Sequence, residues 1–315
     1  MSEHPSDTST LRVLAVVGPT CVGKSDVAER LALADDGEIV SADAMQVYRG
    51  MDIGTAKPSL TKRMVPYHCV DLVDPGTPYS AALFQRDARE AIAGCAARGR
   101  LPIVCGGTGL YVRAALDPLS FPPPAERDAD TTRERYGALA AELGPQGLHA
   151  LLADRDPKSA ALIHPNNVRR VLRALEMADE GVSYATQACG FSERTSIFAA
   201  AFLGLTMERR ALYERIDRRV DSMMAAGLLA EVELLVRSGF REALTAAQAI
   251  GYKEFVPVLD GALSVDEAVA SVKMATRRYA KRQLTWFRAD ERIRWVDVTD
   301  LSPAETLAAA QEALR

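Results

Sequence analysis

A chain of 315 residues, 48% hydrophobic and 25% charged, is long enough to bury a full core in one large domain or two. Its net charge of -4 excludes a protein that gathers a polyanion by bulk charge and leaves only a local basic patch for that purpose. Five scattered cysteines with no C-x-x-C pair suggest neither a zinc ribbon nor a disulfide framework, and no apolar run is long enough for a membrane span.

Met1 to Thr10 is polar and lacks the apolar segment of a signal peptide, so residues 1–10 read as a disordered tail and the chain as cytoplasmic. Leu11 to Val17 is an apolar strand. It runs into Gly18-Pro19-Thr20-Cys21-Val22-Gly23-Lys24-Ser25 and then a helical pattern from Asp26. This matches G-x-x-x-x-G-K-[ST], the phosphate-cradling P-loop. Gly18 and Gly23 permit the tight curl that turns successive N–H groups toward an anion. The helix adds its positive N-terminal end. Lys24 supplies a flexible cation, and the Ser25 hydroxyl suits a Mg²⁺ ion bridging phosphate oxygens. A glycine-containing loop can match by chance, but the strand before it and the helix after it argue against that.

Glu38 to Ser41 is a short strand leading into Ala42-Asp43-Ala44-Met45-Gln46-Val47-Tyr48. Ligands gather at the carboxyl ends of parallel strands, so Asp43 stands where a reacting group belongs. It could equally cap a helix. Met51 to Pro58 follows, too rich in Gly, Thr and Pro for a regular element. His68 to Val73 reads as a strand, Tyr79 to Arg98 as an amphipathic helix, and Leu101 to Cys105 as a buried strand. That strand ends in Gly106-Gly107-Thr108-Gly109, where Thr108 could cap the next helix or donate to a phosphate oxygen.

The strand–helix alternation indicates an α/β fold, a P-loop NTPase-like parallel sheet flanked by helices. It breaks at the prolines of 117–124. From there to Phe191 the pattern is helical: 133–143, 147–153, 157–163 and 168–179, the last basic at Arg169, Arg170 and Arg173. The expected division is a core of 11–118 and 197–315, with a small all-helical insertion domain over 119–196. Ile197 to Leu205 rejoins the sheet. Helices over 208–225, 228–237 and 265–287, a strand over 293–298 and a helix over 303–314 complete the core.

The long helix has no acidic residue between Lys273 and Arg288, yet it carries Arg277, Arg278, Lys281 and Arg282 beside Tyr279, Trp286 and Phe287. Arg-rich helices are usually solvated faces. This sign imbalance beside aromatic rings favours RNA.

Several motifs together resemble the bacterial-type tRNA dimethylallyltransferases: the P-loop, Ser41 to Tyr48, Met51 to Pro58, Gly106 to Tyr111, His164-Pro165-Asn166, Arg215 to Arg219, Ile250-Gly251-Tyr252 and Lys281 to Arg288. They run in order along nearly the whole chain. The resemblance implies transfer of a dimethylallyl group from dimethylallyl diphosphate to N6 of the adenosine 3′-adjacent to the anticodon, in tRNAs reading codons that begin with U. It makes the P-loop a diphosphate site assisted by Mg²⁺, and it implies catalytic roles for Asp43, Thr108 and Arg219. It assigns contacts with the tRNA anticodon stem-loop to Asp43, Ala44, Met45 and Gln46; to Arg169, Arg170 and Arg173; to Gly251, Tyr252 and Lys253; and to Lys281, Arg282, Gln283, Trp286 and Arg288. Arg133 is a further candidate in a segment, 125–135, that aligns poorly. A monomer is expected. The rival readings are a P-loop small-molecule kinase, an enzyme that prenylates free adenine nucleotides, and a non-catalytic RNA-binding protein.

Overall fold

The computed structural model describes residues 10–121, 129–191 and 193–315, apart from the side chains of 129–131 and 133. The chain runs β1 (Arg12–Val17), α1 (Lys24–Ala34), β2 (Gly37–Ser41), β3 (Tyr67–His68), α2 (Ala81–Ala97), β4 (Leu101–Gly106) and α3 (Gly109–Leu116). Four helices follow: α4 (Ala129–Arg155), α5 (Pro157–Leu162), α6 (Val168–Asp179) and α7 (Tyr184–Gly190). It then continues through β5 (Ala199–Thr206), α8 (Arg209–Ala225), α9 (Leu228–Arg237), α10 (Val256–Leu259), α11 (Val265–Arg288), β6 (Ile293–Asp297) and α12 (Pro303–Ala313). Two compact units result. One ends at Asp117 and resumes at Ser196; the other is Pro118–Thr195.

The first unit is built on a six-stranded sheet in the order β3-β2-β4-β1-β5-β6, with every pairing parallel. Parallel strands are covered on both faces, which is why β1 and β4 read as continuous apolar runs. Val16, Leu31, Ile103 and Leu203 form part of one core between the sheet, α1, α8, α11 and α12. Phe84 of α2 stacks on Tyr111 of α3, with ring centroids 4.0 Å apart. Ser264 and Glu267 form a capping box that starts α11. No helix among the described residues is long and apolar enough to cross a membrane.

One strand is shorter than the sequence suggests. The expected strand 68–73 is limited to Tyr67–His68, because Cys69 (φ 59°) and Asp71 (φ 55°) turn into the left-handed region and break the extended run. Val73 recovers a single bridge to Tyr48.

The regular elements described in the second unit are all helices. Tyr136, Leu148, Leu152, Val171 and Leu175 form its core. Gly144 (φ 65°) interrupts α4 ahead of Pro145, so the element consists of two helical arms. Asp179 gathers the Tyr136 hydroxyl (2.9 Å), Arg155 (2.5 Å) and Arg135.

A buried acid braces the sheet near the start of β2. The Glu38 carboxylate accepts from Arg98 at 2.6 and 3.2 Å, pairs with the His68 ring at 2.6 Å and accepts from the Cys95 thiol at 3.4 Å. Donation from Arg98 outweighs burial and, with His68 and Cys95, holds this carboxyl down at about 2, against an ordinary 4.5. A folded-state value below the unfolded one stabilises the protein above the unfolded pKa, and the gain is lost as pH falls toward the folded value. Glu38→Gln is therefore expected to flatten the acid limb of the stability curve between about pH 5 and about pH 2, read from urea unfolding at a series of pH values. An unchanged acid limb would show that the cluster does not couple to folding.

Candidate diphosphate and acceptor site

In a parallel sheet all carboxyl ends lie on one edge, and here β4 sits between β1 and β2. Three loops are thereby brought side by side: 18–25 after β1, 42–48 after β2 and 107–108 after β4. They surround a cavity of about 330 Å³ whose lining includes Thr20, Gly23, Lys24, Ser25, Asp43, Gly107, Arg219, Tyr279 and Gln283. The match to the P-loop motif is thus matched by P-loop geometry. Gly18 (φ 143°) lies so close to β5 that an added Cβ would be 2.4 Å from the Leu205 carbonyl oxygen, and Gly23 (φ 104°) is the left-handed N-cap of α1. Val22 is buried, so it anchors the loop and does not face the ligand space.

Two cations share the cavity. The Lys24 ammonium donates to the Pro19 carbonyl at 2.7 Å. Burial pushes it below its usual range and Arg219 adds to that, against the opposing effects of Cys105 and Asp43. Arg219, on α8, reaches the Cys21 sulfur at 3.8 Å. A buried ammonium beside a second cation is relieved by an anion, and a diphosphate is such an anion.

Asp43 does not cap a helix. Its Oδ1 accepts from the Met45 N–H at 2.9 Å in a tight local turn, which leaves Oδ2 without a hydrogen-bond partner among the described residues. Thr108 stands at the N-cap position of α3, but its hydroxyl makes no capping bond; it accepts from the Ala44 N–H at 3.1 Å. That bond ties the β4 loop to the Asp43 loop through the hydroxyl oxygen. The Ser25 hydroxyl and the Asp43 carboxylate supply hard oxygen donors in the same cavity. Such donors suit a Mg²⁺ ion completed by water and phosphate oxygens. A second possible cation cluster, Glu38–His68–Cys95, has its carboxylate already satisfied by Arg98.

One wall of the cavity is apolar. Ile39 and Tyr67 are register partners on β2 and β3, joined by Ala56 and Pro58. β2 is separated from β1 by one intervening strand, so this wall lies about 10 Å to the side of the P-loop strand.

The residues expected at an RNA surface divide into two groups. Arg169, Arg170, Lys253, Lys281, Arg282 and Arg288 are exposed. Arg173 pairs with Glu176 at 3.2 Å. Ala44 and Met45 are half-buried beside Asp43. The remaining residues are engaged by the fold to differing degrees. Tyr252 is 1% exposed and donates to Glu231 at 2.7 Å, and Gly251 is buried beside it; neither presents a surface for stacking. Gln283 is 5% exposed, and its amide bridges two loops: Oε1 accepts from the Thr20 N–H at 2.8 Å and Nε2 donates to the Gly107 carbonyl at 2.9 Å. Gln46 is held between the Ser41 hydroxyl (2.8 Å) and the Thr55 carbonyl (3.3 Å). Trp286 is seated against Gly109, where an added Cβ would fall 2.1 Å from the indole, and the rest of its ring is open. The side chain of Arg133 lies outside the described ones.

The sign imbalance of α11 is partly answered by its neighbour. Lys273 pairs with Asp221 at 2.6 Å and Arg277 with Asp217, both on α8. Arg278, Lys281, Arg282 and Arg288 have no ion pair among the described residues, and Arg282 lies over the Tyr279 ring at 5.6 Å. Sequence reasoning missed Tyr279 as a cavity residue. Burial and Asp43 push its phenol up to about 12, against the opposing effects of Thr108, Gln283 and Arg282, so it stays protonated. Its spacing from Gln283 and Trp286 (i, i+4, i+7) was the available signal.

The IPP transferase family model matches residues 46–290, and an isopentenyl transferase model matches residues 11–64. The tRNA dimethylallyltransferase of Geobacillus kaustophilus is 47% identical over 291 residues, covering 92% of this chain and 91% of that protein. Among solved structures, the full-length tRNA isopentenylpyrophosphate transferase of Bacillus halodurans has a TM-score of 0.68 at 41% identity, over 96% of this chain and 98% of that one. A eukaryotic dimethylallyltransferase acting on tRNA has a TM-score of 0.79 at 30% identity, over 96% and 78% of the two chains. A family model over most of the chain and a near-complete alignment at this identity leave one conclusion: the chain belongs to the IPP transferase family.

Proposed function

We propose that the protein transfers a dimethylallyl group from dimethylallyl diphosphate to N6 of the adenosine 3′-adjacent to the anticodon of tRNA, releasing diphosphate. The observation that carries this reading is the two-ended cavity: Lys24, Ser25 and Arg219 at its phosphate-binding side, Ile39, Ala56, Pro58 and Tyr67 along an apolar wall, and Asp43 on the loop after β2. A five-carbon chain on a diphosphate has those same two ends.

The chemistry follows from where charge develops. As the allylic C–O bond breaks, its electron pair goes to the departing diphosphate. Preorganised donors there lower the barrier. Lys24, Arg219 and the P-loop amides serve that end, and Thr108 donates to the bridging oxygen. A Mg²⁺ ion held by Ser25 neutralises further charge on the leaving group when bound. The N6 lone pair forms the new C–N bond, although it is delocalised into the ring and weakly nucleophilic. The free Oδ2 of Asp43 orients the amino group and takes up its proton. The base must leave the loop's stack to reach this carboxylate. The exposed cations of α11 and the Arg169–Arg170 pair of α6 suit the phosphates of the anticodon stem-loop.

The decisive assay supplies unmodified anticodon stem-loop RNA with dimethylallyl diphosphate, and in parallel ATP with small acceptors and free AMP. The expected outcome is prenylated RNA only. Phosphoryl transfer without prenylation would establish the kinase reading, and efficient modification of AMP the nucleotide reading. Asp43→Ala is expected to lower kcat by roughly 10²-fold or more while RNA affinity stays within about threefold. Equal losses in both would make Asp43 a binding residue. Arg282→Ala and Arg288→Ala should each weaken RNA binding and reduce the salt slope by about one, measured by titration from low to moderate salt; an unchanged slope would return these arginines to a solvated face.

A further inference from the structure

Glu231, on α9, is not among the cavity residues, yet its carboxylate holds the loop that walls the cavity. Its Oε2 accepts from the Ile53 N–H at 2.9 Å; its Oε1 accepts from the same N–H at 3.1 Å, from the Gly54 N–H at 3.3 Å and from the Tyr252 hydroxyl at 2.7 Å. Residues 53–56 form a single turn, closed by the Ala56 N–H on the Ile53 carbonyl at 3.1 Å. The carboxylate meets the open N–H groups at the start of that turn. A charged acceptor is stronger there than a neutral one.

The Tyr252 ring fixes the approach. It lies against Gly54, where an added Cβ would be 2.3 Å from the ring. Burial and the Glu231 charge push its phenol upward, so it remains a donor to that carboxylate. The turn is then connected to the catalytic loop. The Thr55 carbonyl accepts from Gln46, and Gln46 accepts from Ser41, two residues before Asp43. A second anchor on the same loop is Lys57, whose buried ammonium donates to Asp52 and Asp71 at 2.6 Å and to the Tyr48 carbonyl at 2.8 Å.

We infer that Glu231 is a positioning residue for the transfer reaction: through the 53–56 turn and Gln46 it sets the cavity wall and the Asp43 loop. The inference rests on the function proposed above. It predicts an asymmetric effect, because among the described residues the two cations that would hold the diphosphate, Lys24 and Arg219, have no hydrogen bond or ion pair to Glu231 or the turn. Loss of the anchor misplaces the reacting end of the donor and the acceptor base while the diphosphate end stays held. Misplacement of about 1 Å can cost about 10²-fold in rate.

The test measures steady-state transfer from dimethylallyl diphosphate to anticodon stem-loop RNA by wild type, Glu231→Ala, Glu231→Gln and Tyr252→Phe, with thermal unfolding of each. Wild type must first transfer the group; if it does not, the functional reading fails independently of this inference. With an active wild type, Glu231→Ala is expected to lower kcat roughly tenfold or more with donor KM within about twofold. Glu231→Gln, which keeps the volume and one acceptor oxygen, is expected to recover most of the loss, and Tyr252→Phe to fall between the two. A folded Glu231→Ala with unchanged kcat overturns the inference, as does a loss that appears wholly in donor KM. If Glu231→Ala does not fold, Glu231→Gln and Tyr252→Phe both at wild-type kcat overturn it.

Discussion

The placement of β4 between β1 and β2 governs the rest of the site. A chain that ran β1, β2, β3 in spatial order would put the P-loop and the Asp43 loop on adjacent strand ends. Inserting β4 separates them by one strand and places the glycine pair 106–107 in the gap. That packing leaves no room for side chains. A Cβ at Gly106 would lie 2.2 Å from the Ala42 carbonyl oxygen, and one at Gly107 would lie 2.1 Å from the Gln283 amide nitrogen. The glycines are therefore needed for contact between loops before any ligand arrives. Thr108 follows immediately, and its hydroxyl reaches the Ala44 N–H because the two loops are this close.

Helix α11 closes the same region from outside the strand order. Its stripe of Tyr279, Gln283 and Trp286 faces the loops, while Lys281, Arg282 and Arg288 face outward. Gln283 satisfies one donor of the P-loop and one acceptor of the β4 loop, groups that would each be costly to leave unpaired in a buried setting. One helix thus carries both the tie between the phosphate loops and the basic surface proposed for RNA.

Much of this was legible in the sequence because short-range rules dominate it. The P-loop, the strand ends carrying Asp43 and Thr108, and the break in α4 at Gly144 all follow from local pattern and glycine placement. The pattern could not show which polar residues would be consumed by the fold. Gln283, Gln46 and Tyr252 sit in motifs with the composition of a binding surface, and all three have their polar groups occupied by partners 263, 5 and 21 residues away. Glu231 was silent for the opposite reason. It is one acid in an ordinary amphipathic helix, and only the tertiary approach of the 53–56 turn gives it a role. The strand expected over 68–73 failed at two non-glycine residues in left-handed backbone, a conformation that composition does not announce.

The electrostatic design of the cavity sets its chemistry apart from simple anion capture. Lys24 lies beside Arg219, and among the described residues its ammonium donates to the Pro19 carbonyl and to no carboxylate. Desolvation and Arg219 both disfavour the charged ammonium, and Asp43 only partly offsets them. That cost is a standing bias toward whatever state puts the most negative charge between the two cations. A diphosphate ester already carries negative charge, but the departing diphosphate carries more, because the electron pair of the breaking C–O bond moves onto it. On the proposed function, the two cations therefore favour the separated state over the bound ester. Differential stabilisation of that kind lowers a barrier, whereas equal binding of both states would not.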